Sequence, residues 1–208
     1  MKKHIYITRH GETDLNLNGI VQGSGVDSSL NDTGREQAAA FFEQYRNIPF
    51  EVVITSGLRR THETAQAFID AGIPWEKMVD INEICWGDQE GKRATPESHA
   101  EYKQLMVDWN AGQYDRRMPN GESAAEMAAR MQTFKTHLLQ RPEEYILVVS
   151  HGRAMRCMMT VLLDKPLSAM DDFKHSNTGL YQFELMSGKF ELIKANDKTH
   201  LVMNNTAK

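Results

Sequence analysis

Three separate stretches of the chain each run a short apolar strand into cationic or imidazole side chains. The side chains in question are Arg9 and His10 after residues 5–8, Arg59 and Arg60 after residues 52–56, and His151 after residues 146–150. In an open α/β sheet the ligand crevice lies beyond the carboxyl ends of the strands, so residues that follow three parallel strands can converge. Two imidazoles and at least two guanidiniums at one edge of a sheet predict a phosphate-binding site.

Hydrolysis of a phosphate monoester is the chemistry that such a site could perform. The uncatalysed reaction is among the slowest known, and its transition state spreads negative charge over three equatorial oxygens. Arg9 and Arg60 can each present a planar fork of donors to those oxygens, and a guanidinium stays charged at any working pH. A protonated His151 would add a third donor, and Asn16 a neutral one. These side chains would supply the positive field without a metal ion.

His10 is the candidate nucleophile of this reaction. A neutral imidazole nitrogen can attack phosphorus and form a phosphohistidine that water later cleaves. The other ring nitrogen must then be held as a donor, and a backbone carbonyl near Gly11 is the expected acceptor. The neighbouring cations should keep His10 neutral, because like charges depress the pKa of an imidazole.

Size and composition describe an ordinary globular protein. The chain has 208 residues, of which 40% are hydrophobic and 25% charged, with a formal net charge of -4. This length fits a single domain over residues 1–208. The mildly acidic balance gives no support to nucleic-acid binding, which usually requires a clustered basic face.

The two cysteines, Cys85 and Cys157, are too few and too far apart for a disulfide framework or a metal site. No His-Glu-x-x-His pattern is present either. We therefore expect no metal and no cofactor, and a reducing, cytoplasmic setting. The chain enters a strand almost at once, and no apolar run approaches the roughly 18 residues that a membrane span needs, so we expect neither export nor membrane contact.

The elements that must position these side chains follow a βαβα pattern. Strands are predicted at residues 5–8, 52–56 and 145–150, helices at 33–45, 59–69, 96–109, 123–141 and 153–163, and a hairpin at 181–193. Residues 79–81 are predicted as a short edge strand, and the tail from about residue 197 as frayed. The pattern predicts a three-layer αβα sandwich with a mostly parallel central sheet and helices on both faces. Residues 84–121 are interpreted as a small helical and loop insertion over the active site.

Four short motifs surround the candidate residues. They are Thr8-Arg9-His10-Gly11-Glu12-Thr13 followed by Asn16, Ser56-Gly57-Leu58-Arg59-Arg60 followed by Thr64-Ala65, Glu83 with Gly87 and Glu90-Gly91, and Ser150-His151-Gly152. In this order they resemble the motifs of the histidine phosphatase superfamily, in its phosphoglycerate mutase-like branch. The resemblance spans most of the chain, which makes it far more specific than an isolated Arg-His-Gly.

The resemblance implies a role for each motif residue. By its register the motif arginine falls on Arg60, which leaves Arg59 as a solvated helix residue. Glu83 would donate a proton to the leaving oxygen and later act as the base for the attacking water. Arg9, Arg60, His151 and Gly152 would bind the phosphate together with Asn16.

Several further side chains have open roles. Arg153 and Arg156 follow His151 at the start of a helix, where they can reach substrate or simply be solvated, and Arg116 and Arg117 are equally ambiguous. Residues 175–178 are a possible rim of the pocket, with Asn177 the one most able to touch a ligand. Glu90 is expected to order the turn at residues 86–91. The other five histidines are assigned to structural roles: His4, His62, His99, His137 and His200.

The chain departs from the family pattern at two points. Many relatives carry Trp just before the motif asparagine and Arg four positions after it, whereas Leu15 and Ile20 stand here. The stretch between Glu83 and Pro119 is also shorter than glycolytic mutases usually carry. A missing cation and a shorter cover both favour hydrolysis over mutase chemistry.

The sequence thus predicts a metal-independent phosphomonoesterase that acts on a small phosphorylated metabolite, working as a monomer or homodimer. Two alternatives stay open. One is a phosphoglycerate mutase that depends on a bisphosphate primer, and the other is a phospho-ligand-binding module without turnover.

Overall fold

The computed structural model describes residues 2–203 and is built around one sheet of six strands. The strands are β1 (Lys3–Arg9), β2 (Val52–Thr55), β3 (Trp75–Lys77), β4 (Tyr145–Ser150), β5 (Leu180–Met186) and β6 (Lys189–Asp197). They lie in the order β3-β2-β4-β1-β5-β6. The first four run parallel, and β5 and β6 are antiparallel additions at one side, as the predicted hairpin requires.

Helices connect the strands. They are α1 (Asp14–Leu17), α2 (Asp32–Tyr45), α3 (Arg59–Asp70), α4 (Pro96–Asn110), α5 (Ala124–Gln140), α6 (Gly152–Leu162) and α7 (Thr199–Met203). Five of them were predicted, and the two additional ones, α1 and α7, are too short to show a helical period in the sequence. None of the helices within residues 2–203 combines the length and apolar character that crossing a bilayer requires.

The two faces of the sheet are covered by different helices, because successive side chains of a strand point to opposite faces. Ile5 and Ile7 of β1 pack in the same apolar cluster as residues of α4, α5 and α6. Tyr6, between them, packs in a second cluster with Phe41 of α2 and Phe68 of α3. The predicted three-layer αβα sandwich with a mostly parallel central sheet is therefore confirmed.

The parallel register brings three strand ends to one edge. β4 lies between β1 and β2, with Ser150 opposite Arg9 and Val149 opposite Thr55. Because all three strands point the same way, the residues that follow them emerge side by side.

The predicted edge strand at residues 79–81 is wrong. The edge strand is β3, four residues earlier, where Trp75 pairs with Val53 and its indole N–H donates to the Thr55 hydroxyl at 2.9 Å. Val79 to Ile81 instead form a turn of 3-10 helix that buries Ile81 completely and leaves Val79 exposed. The chain has already left the sheet by that point.

The chain between residues 84 and 121 contains α4 and loops. Thr95 caps α4 through two reciprocal hydrogen bonds. The Ser98 amide donates to the Thr95 hydroxyl, and the Thr95 amide donates to the Ser98 hydroxyl. Trp109 near the end of α4 is buried, and its indole donates to the carbonyl of Arg116 at 2.8 Å, which fixes the return path.

The predicted frayed tail is helical where the structure describes it. Residues 199–203 form α7, because His200 is buried between α2 and the sheet. The ring of His200 shares a hydrogen bond with the Thr178 hydroxyl at 2.9 Å and lies edge-on to Phe41. Residues 204–208 lie outside the described part of the chain.

The burial of His200 predicts a loss of stability in mild acid. Burial lowers the pKa of His200 to about 4, although Asp197 opposes that shift. The unfolded chain, with an ordinary histidine pKa near 6.5, then binds its proton first as the pH falls, so native stability declines between about pH 6.5 and pH 4. The slope for this histidine is about 1.4 kcal/mol per pH unit at most.

Urea unfolding at several pH values measures this slope, and His200→Gln should reduce it. The exposed His99→Gln is the matched control and should leave the slope unchanged. An identical slope in His200→Gln and the natural chain would contradict the assignment.

Candidate active site

His10 lies immediately after β1 and is almost completely buried. Its backbone N–H donates to the carbonyl of Ser150 on β4, and its Nδ1 lies 2.7 Å from the carbonyl oxygen of Gly11. A carbonyl only accepts, so Nδ1 carries the proton and the lone pair is on Nε2. This is the tautomer that a histidine nucleophile needs.

Two causes keep His10 neutral. Burial is the larger one, and the nearby guanidiniums of Arg9 and Arg60 add to it, so that the pKa of His10 lies well below its ordinary value of 6.5. The sequence-based expectation named only the cations. The ring therefore keeps a free lone pair throughout the neutral pH range.

Gly11 has no room for a side chain. A Cβ at this position would meet the carbonyl oxygen of Gly34 at 2.5 Å, because the start of α2 lies against the loop. The Gly11 amide also donates to the hydroxyl of Thr64 on α3 at 2.9 Å. These contacts fix the Gly11 carbonyl, which orients the ring of His10. Thr64 of the second motif therefore supports the nucleophile of the first motif.

Arg60, in the first turn of α3, is fully buried. Its guanidinium donates to the carbonyls of Val26 at 2.7 Å and Gly23 at 3.2 Å, and its Nε donates to Nδ1 of His151 at 3.1 Å. Burial lowers the pKa of Arg60 to about 10, which still leaves it charged at neutral pH, and Glu83 opposes the shift. A cation is thus held rigidly beside His151.

His151 stands at the start of α6, with its ring 5.2 Å from the ring of His10 between centroids. Nδ1 accepts from Arg60, so the proton is on Nε2, which faces the Ser56 hydroxyl at 2.8 Å. Burial and then Arg60 lower the pKa of His151 well below 6.5. In this arrangement His151 is a neutral ring; the protonated donor considered from the sequence was conditional on a phosphate dianion beside it.

Ser56 has a role that sequence reasoning missed. The sequence suggested that Ser56 ends strand β2. Its hydroxyl accepts a hydrogen bond from the Leu58 amide at 3.1 Å, just after the strand. The same hydroxyl also bonds to Thr61 and to His151, which lies 95 positions away. Ser56 therefore positions the second imidazole, a role that only its place at the start of the second motif could have suggested.

Glu83 is buried where the insertion begins, at the N-terminus of α6. Its carboxylate accepts from the amides of Arg153 at 3.1 Å and Ala154 at 2.8 Å, as well as from its neighbour Ile84 at 3.0 Å. These three backbone amides fix the position of the Glu83 carboxyl group at the start of α6. Glu83 is thus bound to the two residues that directly follow His151 and Gly152 in the chain.

Arg9 and Asn177 form the other side of the site. Arg9 extends one guanidinium nitrogen toward Nδ1 of His175 at 3.4 Å and toward the Asn177 side-chain oxygen at 3.5 Å. Asn177 donates to the His10 carbonyl at 3.0 Å and to the Asn16 side chain at 3.4 Å. The predicted pocket rim therefore contacts three of the predicted site residues directly.

His175 contacts Arg9, a role that sequence analysis did not assign to it. Burial and then Arg9 lower the pKa of its ring to about 3, so it accepts from Arg9 rather than repelling it. A Cβ at Gly152 would lie 2.8 Å from this ring, so the close approach of His175 requires glycine there. Gly152 thus serves the site by making room for His175.

The remaining charged residues of interest are held by local partners. Arg153 pairs with Asp171 at 2.9 Å and Arg156 also reaches Asp171, while Arg116 pairs with Asp108 at 3.3 Å and Arg117 with Glu126 at 2.8 Å. Arg59 is exposed, as expected. Glu90 accepts from the amides of Trp86 at 2.8 Å and Gly25 at 2.7 Å, which agrees with its expected role in the turn.

The site as a whole is a cluster of guanidinium and imidazole groups with one buried carboxylate. Among residues 2–203, no three His, Cys, Asp or Glu side chains come together in a way that could hold a metal ion. The donors present suit an oxyanion, which Arg9 and Arg60 could bind beside the free Nε2 of His10.

A family model, described as the histidine phosphatase superfamily (branch 1), matches residues 5–198. The chain therefore belongs to the histidine phosphatase superfamily. The predicted resemblance to this superfamily is confirmed.

Two curated relatives are similar to the chain over very different shares of their own length. The chain is 35% identical over 163 residues to 6-phosphofructo-2-kinase/fructose-2,6-bisphosphatase from Gallus gallus. The matched region covers 77% of this chain and 33% of that protein. The chain thus spans about a third of the length of that relative. It is 32% identical over 210 residues to a probable phosphoglycerate mutase GpmB from Yersinia pestis, which covers 96% of this chain and 95% of the relative.

Solved structures share the fold over nearly the whole chain. YhfR from Bacillus stearothermophilus and a mutant of phosphoserine phosphatase from Entamoeba histolytica, in complex with phosphoserine, are each 26% identical, with a TM-score of 0.82 and coverage of 96% of this chain and 99% of theirs. A putative alpha-ribazole-5'-P phosphatase from Escherichia coli is 23% identical, with a TM-score of 0.81. The match covers 94% of this chain and 96% of the other chain. At this identity it supports the fold alone.

Proposed function

We propose that this protein is a metal-independent phosphomonoesterase that hydrolyses a small phosphorylated metabolite through a phosphohistidine on His10. One observation carries the proposal: the Nδ1 of His10 is bound to a carbonyl at 2.7 Å, so Nε2 presents a lone pair among buried guanidiniums. A cytoplasmic setting is part of the proposal, since Cys85 and Cys157 are both unpaired thiols.

In the first step, Nε2 of His10 attacks the phosphorus while Arg9 and Arg60 hold the phosphoryl oxygens. A bond forms between nitrogen and phosphorus, and the bond between phosphorus and the leaving oxygen breaks. Glu83 donates its proton to that oxygen, which departs as an alcohol. Three backbone amides that donate to its carboxyl oxygens hold Glu83 in place for this transfer.

In the second step, the carboxylate of Glu83 takes a proton from water, and the water oxygen attacks the phosphohistidine. The bond between Nε2 and phosphorus breaks, and inorganic phosphate leaves. His10 returns to its neutral form with the proton still on Nδ1, because the Gly11 carbonyl holds it there throughout.

A second candidate function is phosphoglycerate mutase activity. It is favoured by the match to the probable phosphoglycerate mutase of Yersinia pestis over 95% of that protein. A mutase must return the phosphoryl group to a bound phosphoglycerate before water reaches it. The positions at which many relatives carry Trp and Arg hold Leu15 and Ile20 here, which removes one cation that could read a second acidic group.

One labelling experiment tests both candidates. The enzyme is briefly mixed with a 32P-labelled phosphomonoester in the presence of a chelator and quenched in alkali, where phosphohistidine survives. We expect label on His10 that is released as inorganic phosphate, with or without added 3-phosphoglycerate. Transfer of the label to 3-phosphoglycerate would establish the mutase instead, and turnover without any labelled histidine would contradict the phosphohistidine route.

A further inference from the structure

A cavity of about 280 Å³ lies between the helix α4 and the loops around residues 21 and 86. Its walls are largely apolar and aromatic, and they include Trp86, Tyr102 and Met118 together with Val21. The rings of Trp86 and Tyr102 meet edge to face at 5.5 Å between centroids, which gives the cavity one continuous aromatic wall. A cavity of this size and lining is of the kind that accepts a small organic group.

Two of its lining residues, Gln22 and Tyr102, form hydrogen bonds close to the candidate catalytic groups. Gln22 accepts from the Thr13 hydroxyl at 3.2 Å, and the next carbonyl, that of Gly23, accepts from Arg60. On the opposite side the hydroxyl of Tyr102 accepts from the guanidinium of Arg153, whose own amide donates to Glu83. The cavity wall is thus linked through Gly23 to Arg60, which would bind the phosphate, and through Arg153 to Glu83, which would protonate the leaving oxygen.

The lining contains no Asp, Glu, Lys or Arg side chain. Its polar members are Gln22, Gln89, Ser98 and His99. A leaving group with a carboxylate would lose its hydration in this cavity without gaining a cation in return, and that loss is costly.

Two arginines near Tyr102, Arg153 and Arg156, do not alter this conclusion. Arg153 donates to Asp171 and Tyr102, and its guanidinium stacks over the rings of Tyr102 and Trp109 at about 6 Å. Arg156 is bound to the same Asp171 oxygen. A substrate carboxylate at this point would have to compete with a carboxylate of the protein.

We propose, on the basis of the proposed phosphomonoesterase function, that the substrate is a phosphate ester of an uncharged alcohol with an apolar or aromatic body, which occupies this cavity. Burial of the apolar body would contribute to recognition, and Gln22, Gln89 and His99 leave room for a small number of neutral polar groups. Esters of acidic alcohols, phosphoglycerate included, would be poor substrates.

Three esters with similar alkyl leaving oxygens test this inference: benzyl phosphate, 4-carboxybenzyl phosphate and ethyl phosphate. We expect kcat/KM for benzyl phosphate to exceed that for ethyl phosphate by about tenfold or more, since apolar groups in such pockets discriminate by 10-fold to 200-fold. The carboxylate of 4-carboxybenzyl phosphate should cancel most of that gain.

Variants place the effect in the cavity. Ala94 lines it, and Ala94→Trp should lower kcat/KM for benzyl phosphate about tenfold more than for ethyl phosphate. Ala111→Trp, at an exposed position beyond the end of α4, is the matched control and should leave the ratio unchanged. Thermal denaturation of both variants checks that each is folded.

The outcomes separate the two proposals. Equal or faster turnover of 4-carboxybenzyl phosphate would overturn the inference and point to Arg153 and Arg156 as a carboxylate site, while the phosphomonoesterase function would stand. An unchanged substrate ratio in Ala94→Trp would overturn it as well. Failure to hydrolyse all three esters, with no phosphohistidine formed, would refute the phosphomonoesterase function itself.

Discussion

Replacement of His10 by alanine should abolish the release of inorganic phosphate, with a fall in kcat of about 10⁴-fold or more. The reason is that, among residues 2–203, we find no other imidazole beside Arg9 and Arg60 with a free lone pair at the proposed phosphate site. His151 cannot substitute for it, because both ring nitrogens of His151 are already bound, to Arg60 and to Ser56. Phosphate release under single-turnover and steady-state conditions is the measurement.

The fold should tolerate this change. His10 packs beside His151 at 5.2 Å and makes one side-chain hydrogen bond, so its loss costs a small part of the folding free energy. His137→Ala is the control, because His137 lies on α5 and pairs with Glu76 away from the site. Substantial hydrolysis by folded His10→Ala protein would remove His10 as the nucleophile.

Replacement of Arg60 by lysine should lower kcat/KM by about 10²-fold to 10³-fold although the charge is kept. Arg60 holds Gly23, Val26 and His151 with three different nitrogens at once. A lysine ammonium has one nitrogen and cannot span these acceptors or present a planar fork to phosphate. The loss of the bond to His151 should also free that ring.

The buried position of Arg60 adds a stability effect to the kinetic one. Unsatisfied carbonyls at Gly23 and Val26 should lower the free energy of unfolding by about 1–3 kcal/mol, which urea denaturation measures. Arg59→Lys, at the adjacent position, is the matched control. Arg59 is exposed, its backbone amide donates to Asp27, and its guanidinium makes one weak contact with Ser29. Equal activity in the two lysine variants would show that Arg60 does not bind the phosphate.

Much of the frame could be predicted from local sequence. The strands that end at Arg9 and Ser150 are short, apolar runs, and the long helices show a clear period and good caps, such as Ser123 for α5. Prediction failed where the local pattern was weak: Val79 and Ile81 are apolar but belong to a 3-10 turn, and residues 199–203, which were expected to be frayed, form a short helix that buries His200.

The sequence by itself determined which residues could do chemistry, because the strand ends and the motif spacing are written in neighbouring positions. It also predicted a neutral His10 from the arginines expected beside it. Burial, which only the tertiary structure supplies, is however the larger cause of that neutral state.

Only the tertiary structure decided how the groups are held and what lies next to them. The Ser56 bond to His151 joins residues 95 positions apart, and the Arg9 contact with His175 joins residues 166 apart. The aromatic cavity beside Tyr102 likewise depends on how α4 packs over the sheet. No local pattern specifies such contacts, because they arise from the packing of whole elements against one another.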